Sequence, residues 1–166
     1  MNVSQLMNQN VAACRPSSTL DEAARLMWDR DVGALPVVDD AGVVVGMITD
    51  RDICMAAFTQ GQPLYGIAVA TAMSREVFSC GADDTLIAAE EIMRTHQVRR
   101  LPIVDQGGHL VGVLSLNDLA MEAAHRRNGR GRQVSGEEIA VTLAAVGAHR
   151  QTVALATRAE VAPLAM

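Results

Sequence analysis

The sequence predicts an α+β fold (mixed α/β) of two tandem units, each reading strand, helix, strand, strand, helix. The units pack sheet to sheet about a pseudo-twofold axis, and a C-terminal helix follows them. Three observations carry this. First, the chain repeats itself without gaps: Pro36 and Pro102, Gly46 and Gly112, Asp52 and Asp118, Met7 and Met73, and Leu20 and Leu86 are all 66 residues apart. Second, in each copy a stretch with apolar residues at helical spacing gives way to two β-branched, apolar runs split by turn residues. Third, one such unit leaves an apolar sheet face uncovered, and a second copy is the simplest cover for it. The expected divisions are 1–62 and 63–128 for the two units and 129–166 for a linker, helix and tail.

In the first copy, Val3 to Gln9 suits one or two helical turns and Val11 to Cys14 a short strand. Pro16 to Thr19 then punctuate the chain, and Thr19 with Glu22 has capping-box spacing. Leu20, Ala23, Ala24, Met27 and Trp28 recur at helical spacing, with Asp21 and Arg25 able to pair on the outer side. Leu35 to Val38 and Val43 to Thr49, separated by Asp39 to Gly42, predict an antiparallel hairpin whose second strand is buried on both faces. Asp50 to Phe58 closes the unit as a helix, and residues 59–70, with Gly61, Pro63 and Gly66, connect to the next. The second copy repeats the plan: Val77 to Cys80 as strand, Asp84 as cap, Thr85 to His96 as helix, Leu101 to Val104 and Leu110 to Ser115 as hairpin, Leu116 to Ala124 as helix. His125 to Arg132 is a short basic, Gly-containing linker. Ser135 with Glu138 then has capping-box spacing ahead of Ile139, Ala140, Leu143, Ala144 and Val146, which predicts a further amphipathic helix.

Composition narrows the function classes. Aromatics are 2% and hydrophobics 49% of the 166 residues, so the core is aliphatic with nine Met as filler, and a base-stacking nucleic-acid surface is not expected. A net charge of −5 argues against a generic polyanion binder. No charged leader precedes an apolar stretch and the apolar runs are too short to span a bilayer, so a soluble, cytoplasmic protein without membrane contact is expected. Cys14, Cys54 and Cys80 lack zinc or CxxC spacing and read as small buried residues. The four His are scattered, so no metal site is expected. No GxSxG elbow, Walker loop or HExxH helix is present, and no nucleophile and base can be named together, so the chain does not read as an enzyme.

The stretch with chemical promise is Gly46 to Asp52, echoed at Gly112 to Asp118. Each reads as a strand running into a helix, where unpaired N–H groups and the helix dipole welcome an anion. Thr49 and Ser115 supply a hydroxyl there, and Asp52 and Asp118, in the first turn, offer carboxylate oxygens that can accept from the two adjacent hydroxyls of a ribose. The same spacing also describes a near capping box, in which the acid only finishes the helix. The full box prefers Glu or Gln, whereas the shorter Asp stands here both times.

With Asp31 to Asp39 and Gly46 to Asp52 in one copy, and Gln97 to Asp105 and Gly112 to Asp118 in the other, the chain resembles a pair of cystathionine-β-synthase (CBS) domains, a Bateman module, over roughly residues 3–124. The resemblance implies a regulatory module that binds an adenosyl ligand such as AMP, ADP or ATP, with no catalytic cofactor. It implies that Asp52 and Asp118 hold ribose, that Thr49 and Ser115 lie near phosphate or ribose, and that Val32 to Pro36 (Gly33, Ala34, Leu35, Pro36) and Val98 to Pro102 (with Leu101) line the adenine pocket. Related nucleotide sensors place basic phosphate contacts where this chain has Arg99 and Arg100, opposite Gly33 and Ala34 in the first copy. Either arginine can therefore serve the Thr49–Asp52 site across the pseudo-twofold axis, and Arg51 is a further candidate. The resemblance also implies a homodimer and a regulated partner of unknown identity. An alternative expectation is a non-catalytic interaction protein with vestigial clefts, working through dimer surfaces and the C-terminal helix.

Overall fold

A computed structural model describes residues 1–125 and 135–147; most of the basic linker and the Ala-rich tail lie outside the described residues. In chain order the first unit holds α1 (Leu20–Asp29), β1 (Ala34–Val38), β2 (Val44–Thr49) and α2 (Asp50–Gln60). The second holds β3 (Cys80–Gly81), α3 (Leu86–His96), β4 (Arg100–Val104), β5 (Leu110–Ser115) and α4 (Leu116–His125), and α5 (Gly136–Gly147) follows.

Local chemistry explains most of these elements. Thr19 and Glu22 close the capping box of α1, the Thr19 N–H donating to Glu22 at 2.9 Å. Helix α1 buries Leu20, Ala23 and Met27, but Trp28 is 86% exposed, a correction to the expected apolar face. The packed stripe is the narrow i, i+3, i+7 set, and Trp28 stands past its edge. Nor does Asp21 pair with Arg25: it accepts the Thr19 hydroxyl at 2.6 Å, and Arg25 lies 3.8 Å from Asp29. The two hairpins share one register, Ala34 opposite Thr49 and Arg100 opposite Ser115, with matching irregularities at Val37/Val38 and Ile103/Val104. Their turns are held by Asp39, which accepts the N–H groups of Ala41 and Val43, and by Asp105, which accepts those of Gly107 and His109.

Four further expectations are corrected. The strand expected at Val11 to Cys14 shrinks to a single parallel bridge between Cys14 and Val37, because the chain turns away at Arg15 to Ser18. Its counterpart is only Cys80–Gly81, parallel to β4. Strand β2 alternates, with Gly46 and Ile48 buried and their neighbours half-buried, instead of being buried on both faces. The cap of α3 is Thr85, which accepts the Ala88 N–H at 3.2 Å, while Asp84 accepts from Gly81 at 2.7 Å. Cys54 is exposed; Cys14 and Cys80 are buried as expected, and burial pushes both thiols up to about 11.

The pseudo-twofold arrangement is visible in contacts that come in reciprocal pairs. Val44 N–H donates to Gly108 carbonyl at 3.1 Å, and Leu110 N–H to Gly42 carbonyl at 3.2 Å. Met47 bridges to Ser74 as Val113 does to Asn8, and Thr19 to Ala68 as Thr85 does to Asn2. Each core is consequently assembled from both copies. Val3, with Met1, Leu6 and Met7, packs into the core of Leu86, Met93, Leu101 and Leu114. Ile67 and Val69, with Ala72 and Met73, complete the core of Leu20, Met27, Leu35 and Ile48.

These crossings explain two glycines. A Cβ on Gly46 would lie 2.8 Å from Met73 Sδ and 2.9 Å from the Ser74 carbonyl oxygen, and one on Gly112 would lie 2.7 Å from Met7 Sδ and 3.1 Å from the Asn8 carbonyl oxygen. Backbone cannot retreat as a flexible side chain can. Gly46→Ala and Gly112→Ala are each expected to cost about 1–3 kcal/mol, read as a lower urea midpoint, whereas Gly136→Ala, with open space around it, should not destabilise. Equal midpoints for all three would refute this account of the crossings.

Helix α5 has the predicted capping box, Ser135 N–H donating to Glu138 at 2.7 Å and Glu138 N–H to the Ser135 hydroxyl at 3.1 Å. It packs against α3 and α4, and the Gln97 side chain donates to the Ala145 carbonyl at 3.1 Å. Its buried stripe is Thr142 and Val146 with half-buried Ile139, so Leu143, 56% exposed, is not part of it. Beneath α5, Glu90 is buried and its Oε1 finds no hydrogen-bond partner among the described residues. Burial raises the Glu90 pKa above its ordinary 4.5, the nearby Glu138 charge raises it further, and Arg94 partly offsets both. A raised folded-state value means that the folded protein binds the proton more tightly. Stability should therefore fall as pH rises from about 4.5 through the raised value, then level off. Glu90→Gln should flatten that slope in urea titrations; an unchanged slope would refute the assignment.

Candidate functional site

The two strand-to-helix junctions repeat atom for atom. At the first, the Thr49 N–H and hydroxyl both donate to Asp52 Oδ2, at 2.9 and 2.7 Å, and the Asp52 N–H returns to the hydroxyl at 3.2 Å. At the second, Ser115 donates to Asp118 Oδ2 at 2.8 and 2.6 Å, and the Asp118 N–H returns at 3.2 Å. One oxygen of each carboxylate thus finishes its helix, as the capping alternative requires. The other oxygen, Oδ1, takes part in none of these bonds, and an ionised carboxylate has capacity for further donors.

The remaining candidates sort by burial. Leu35 and Leu101 are core residues, 1% and 0% exposed, and Ala34, Pro36 and Pro102 are also buried. Their side chains build the floor, so whatever they offer a ligand comes from the main chain. The Gly33 and Arg99 carbonyls are already engaged, accepting the N–H groups of Asp50 at 3.2 Å and Leu116 at 2.9 Å. Arg51 and Arg99 are exposed.

Arg100 is the informative one. A Cβ built on Gly33 would stand 3.7 Å from Arg100 Nη2 and 3.1 Å from Asp50 Oδ2, so the guanidinium of the second copy arrives beside the first copy's junction. No reciprocal charge exists, because the residue matching Arg100 is Ala34 and the one matching Asp50 is Leu116. The two junctions therefore share a backbone and differ in electrostatics. Asp50 was not among the residues singled out from sequence, although its mismatch with Leu116 inside an otherwise matched motif was a readable signal. Gly33 and Asp50 also border a cavity of about 540 Å³ between α1 and α2, which Thr49 and Asp52 do not line. Among the described residues no cluster of three or more His, Cys, Asp or Glu could hold a metal ion. No helix among them is long and apolar enough to cross a membrane.

The sequence model of the CBS domain matches this chain twice, over residues 3–58 and 69–125. The chain belongs to the CBS-domain family. It is 44% identical over 120 residues to the CBS domain-containing protein YhcV of Bacillus subtilis, a match covering 72% of this chain and 84% of YhcV. It is 31% identical over 118 residues to a homoserine O-acetyltransferase of Methanococcoides burtonii, covering 71% of this chain but only 23% of that enzyme. Among solved structures it resembles CBSX2 in complex with AMP, with 29% identity, a TM-score of 0.67 and coverage of 76% of this chain and 98% of that one. This CBS pair is thus similar to a protein made of little else, and matches only a minor part of the larger enzyme.

Proposed function

We propose that this CBS pair is a non-catalytic sensor, a homodimer that binds an adenine nucleotide and relays its presence to a protein partner. The reading rests on one observation, the Arg100 guanidinium beside Gly33 and Asp50 at the junction that carries Thr49 and Asp52. In this reading ribose hydroxyls donate to Asp52 Oδ1 while Oδ2 remains the helix cap, and Arg100 pairs with a phosphate at the start of α2. Asp50 and Arg100 both border Gly33, so a phosphate at the start of α2 would be attracted by the guanidinium and repelled by the Asp50 carboxylate. The resemblance to AMP-bound CBSX2 supports the ligand class. Calorimetry with AMP, ADP, ATP, S-adenosylmethionine and NAD tests it: saturable binding of at least one nucleotide is expected, and silence from all five would reject the sensor.

A second reading, an interaction protein whose clefts are idle, is favoured by a separate observation. The chain has four aromatic residues, and three of them, Trp28, Phe58 and Tyr65, are 72–86% exposed. Aromatic side chains left in water are enriched at protein interfaces.

A further inference from the structure

We propose that the cavity between α3 and α5 binds an aliphatic polyamine, one ammonium group meeting Glu90 and the next Glu137. This goes beyond the nucleotide reading and shares no residue with it. The cavity measures about 630 Å³, within the range of small-ligand sites. Four carboxylates line it, Glu90 and Glu91 from α3 and Glu137 and Glu138 from α5, against one cation, Arg94. Two of the four are already engaged. Glu91 pairs with Arg94 and accepts the Thr95 hydroxyl at 3.2 Å, and Glu138 accepts the Ser135 N–H at 2.7 Å as part of the helix cap.

Glu90 carries the inference. It is only 7% exposed, and its Oε1 has no hydrogen-bond partner among the described residues. A buried carboxylate oxygen without a donor is costly, and such a group calls for an explanation. The last torsion of a Glu side chain is soft and roughly two-fold, so turning the carboxylate brings that oxygen to the cavity the residue lines. The duplication shows that the fold itself does not require an acid here. The residue matching Glu90 is Ala24, which packs against the first copy's core. An alanine therefore meets the structural demand at this place, and the carboxylate is an addition of the second copy.

The chemistry of the lining selects the ligand. An acceptor without a donor, in a cavity with an excess of acids, favours a cation. Among the described residues no cluster of three or more His, Cys, Asp or Glu could hold a metal ion, whereas an ammonium brings its own three N–H donors to a single acceptor. Ile87 and Val141 line the same cavity and are 62% and 51% exposed, so they offer methylene groups an apolar surface to cover. Glu137, exposed in the first turn of α5, takes the second ammonium. That glutamate also complements the helix dipole, which is why the buried Glu90 and not the acidic cluster decides the assignment. Charge at both ends with an apolar stretch between them is the pattern of an alkyl polyamine.

Titration calorimetry of the full-length chain with spermidine tests this, at about 150 mM salt so that loose association with surface charge is screened. Saturable binding is expected at pH 7, and Glu90→Gln should weaken it about 10- to 100-fold by loss of a charge-assisted acceptor. Glu90→Ala, which installs the first copy's own residue, should show the same loss and guards against a misfolded Gln variant. Arg94→Gln removes the competing cation and frees Glu91, so it should bind spermidine more tightly, an outcome that a purely structural Glu90 does not give. Burial and the Glu138 charge raise the Glu90 pKa against the partial offset of Arg94, with Glu91 and Glu137 also lining the cavity. The ligand needs the ionised form, so wild-type affinity should rise as pH increases from about 4.5 through the raised value, and Glu90→Gln should lose most of that dependence. No heat of binding, or equal affinity in wild type and both Glu90 variants, would overturn the proposal. Displacement of spermidine by an equal concentration of magnesium would overturn the organic cation in favour of a metal.

Discussion

Arg100→Ala is expected to weaken AMP binding about 10- to 100-fold while leaving adenosine, which lacks the phosphate, nearly unaffected. The magnitude follows from a hydrogen bond to a charged group, worth about 1.5–3 kcal/mol, with about 1.4 kcal/mol per factor of ten. The selectivity follows from position: Arg100 reaches the junction from the second copy, beside Gly33 and Asp50, whereas the Asp52 carboxylate is anchored by Thr49 on the first. Arg99, exposed in the second copy, is the control, and Arg99→Ala should change AMP affinity much less. The affinity should also fall with added salt in the wild type and lose much of that dependence in Arg100→Ala. Equal losses for AMP and adenosine, or none for either, would remove Arg100 from the phosphate site.

The second large effect separates the two jobs of Asp52. Asp52→Ala removes the acceptor for the Thr49 N–H and hydroxyl, and loss of a cap costs about 1 kcal/mol of stability along with ligand affinity. Asp52→Asn keeps a carbonyl oxygen for the cap but presents an NH₂ group where a ribose hydroxyl would donate. Its stability should stay close to wild type while nucleotide affinity drops at least about tenfold, by the loss of a charge-assisted acceptor. Asp118→Asn makes the same change at a junction with no facing arginine, and should leave phosphate-bearing ligands bound. Urea titration and calorimetry on the same three variants decide it. If Asp52→Asn binds like wild type, the carboxylate is a cap and nothing more.

The local devices were legible because each is set by neighbours in sequence. Thr19 with Glu22, Ser135 with Glu138, and the Asp39 and Asp105 turns all act over two to four residues, and the structure forms them as read. The burial expected of Cys54 failed because residue type alone does not say which face of α2 a side chain takes, and that of Trp28 and Leu143 failed for a common reason. Helical spacing says which residues share a face, and the width of the buried stripe depends on what packs there: beside Met27 it is a groove rim, and on α5 it is the narrow contact with α3 and α4. The short strands at Cys14 and Cys80 failed because a β-bridge needs a partner edge, and that edge accepts only one or two residues.

By itself the sequence determined the duplication, the two hairpins, the capped helices and the family, because repeats, turn chemistry and caps are local and survive without a third dimension. Tertiary structure alone decided that residues 1–7 complete the second copy's core and residues 67–73 the first's. It also chose Arg100 over the exposed Arg99 as the arginine that stands beside Gly33. Those outcomes depend on how two equal units close about an axis, a long-range packing choice that no spacing within a unit encodes.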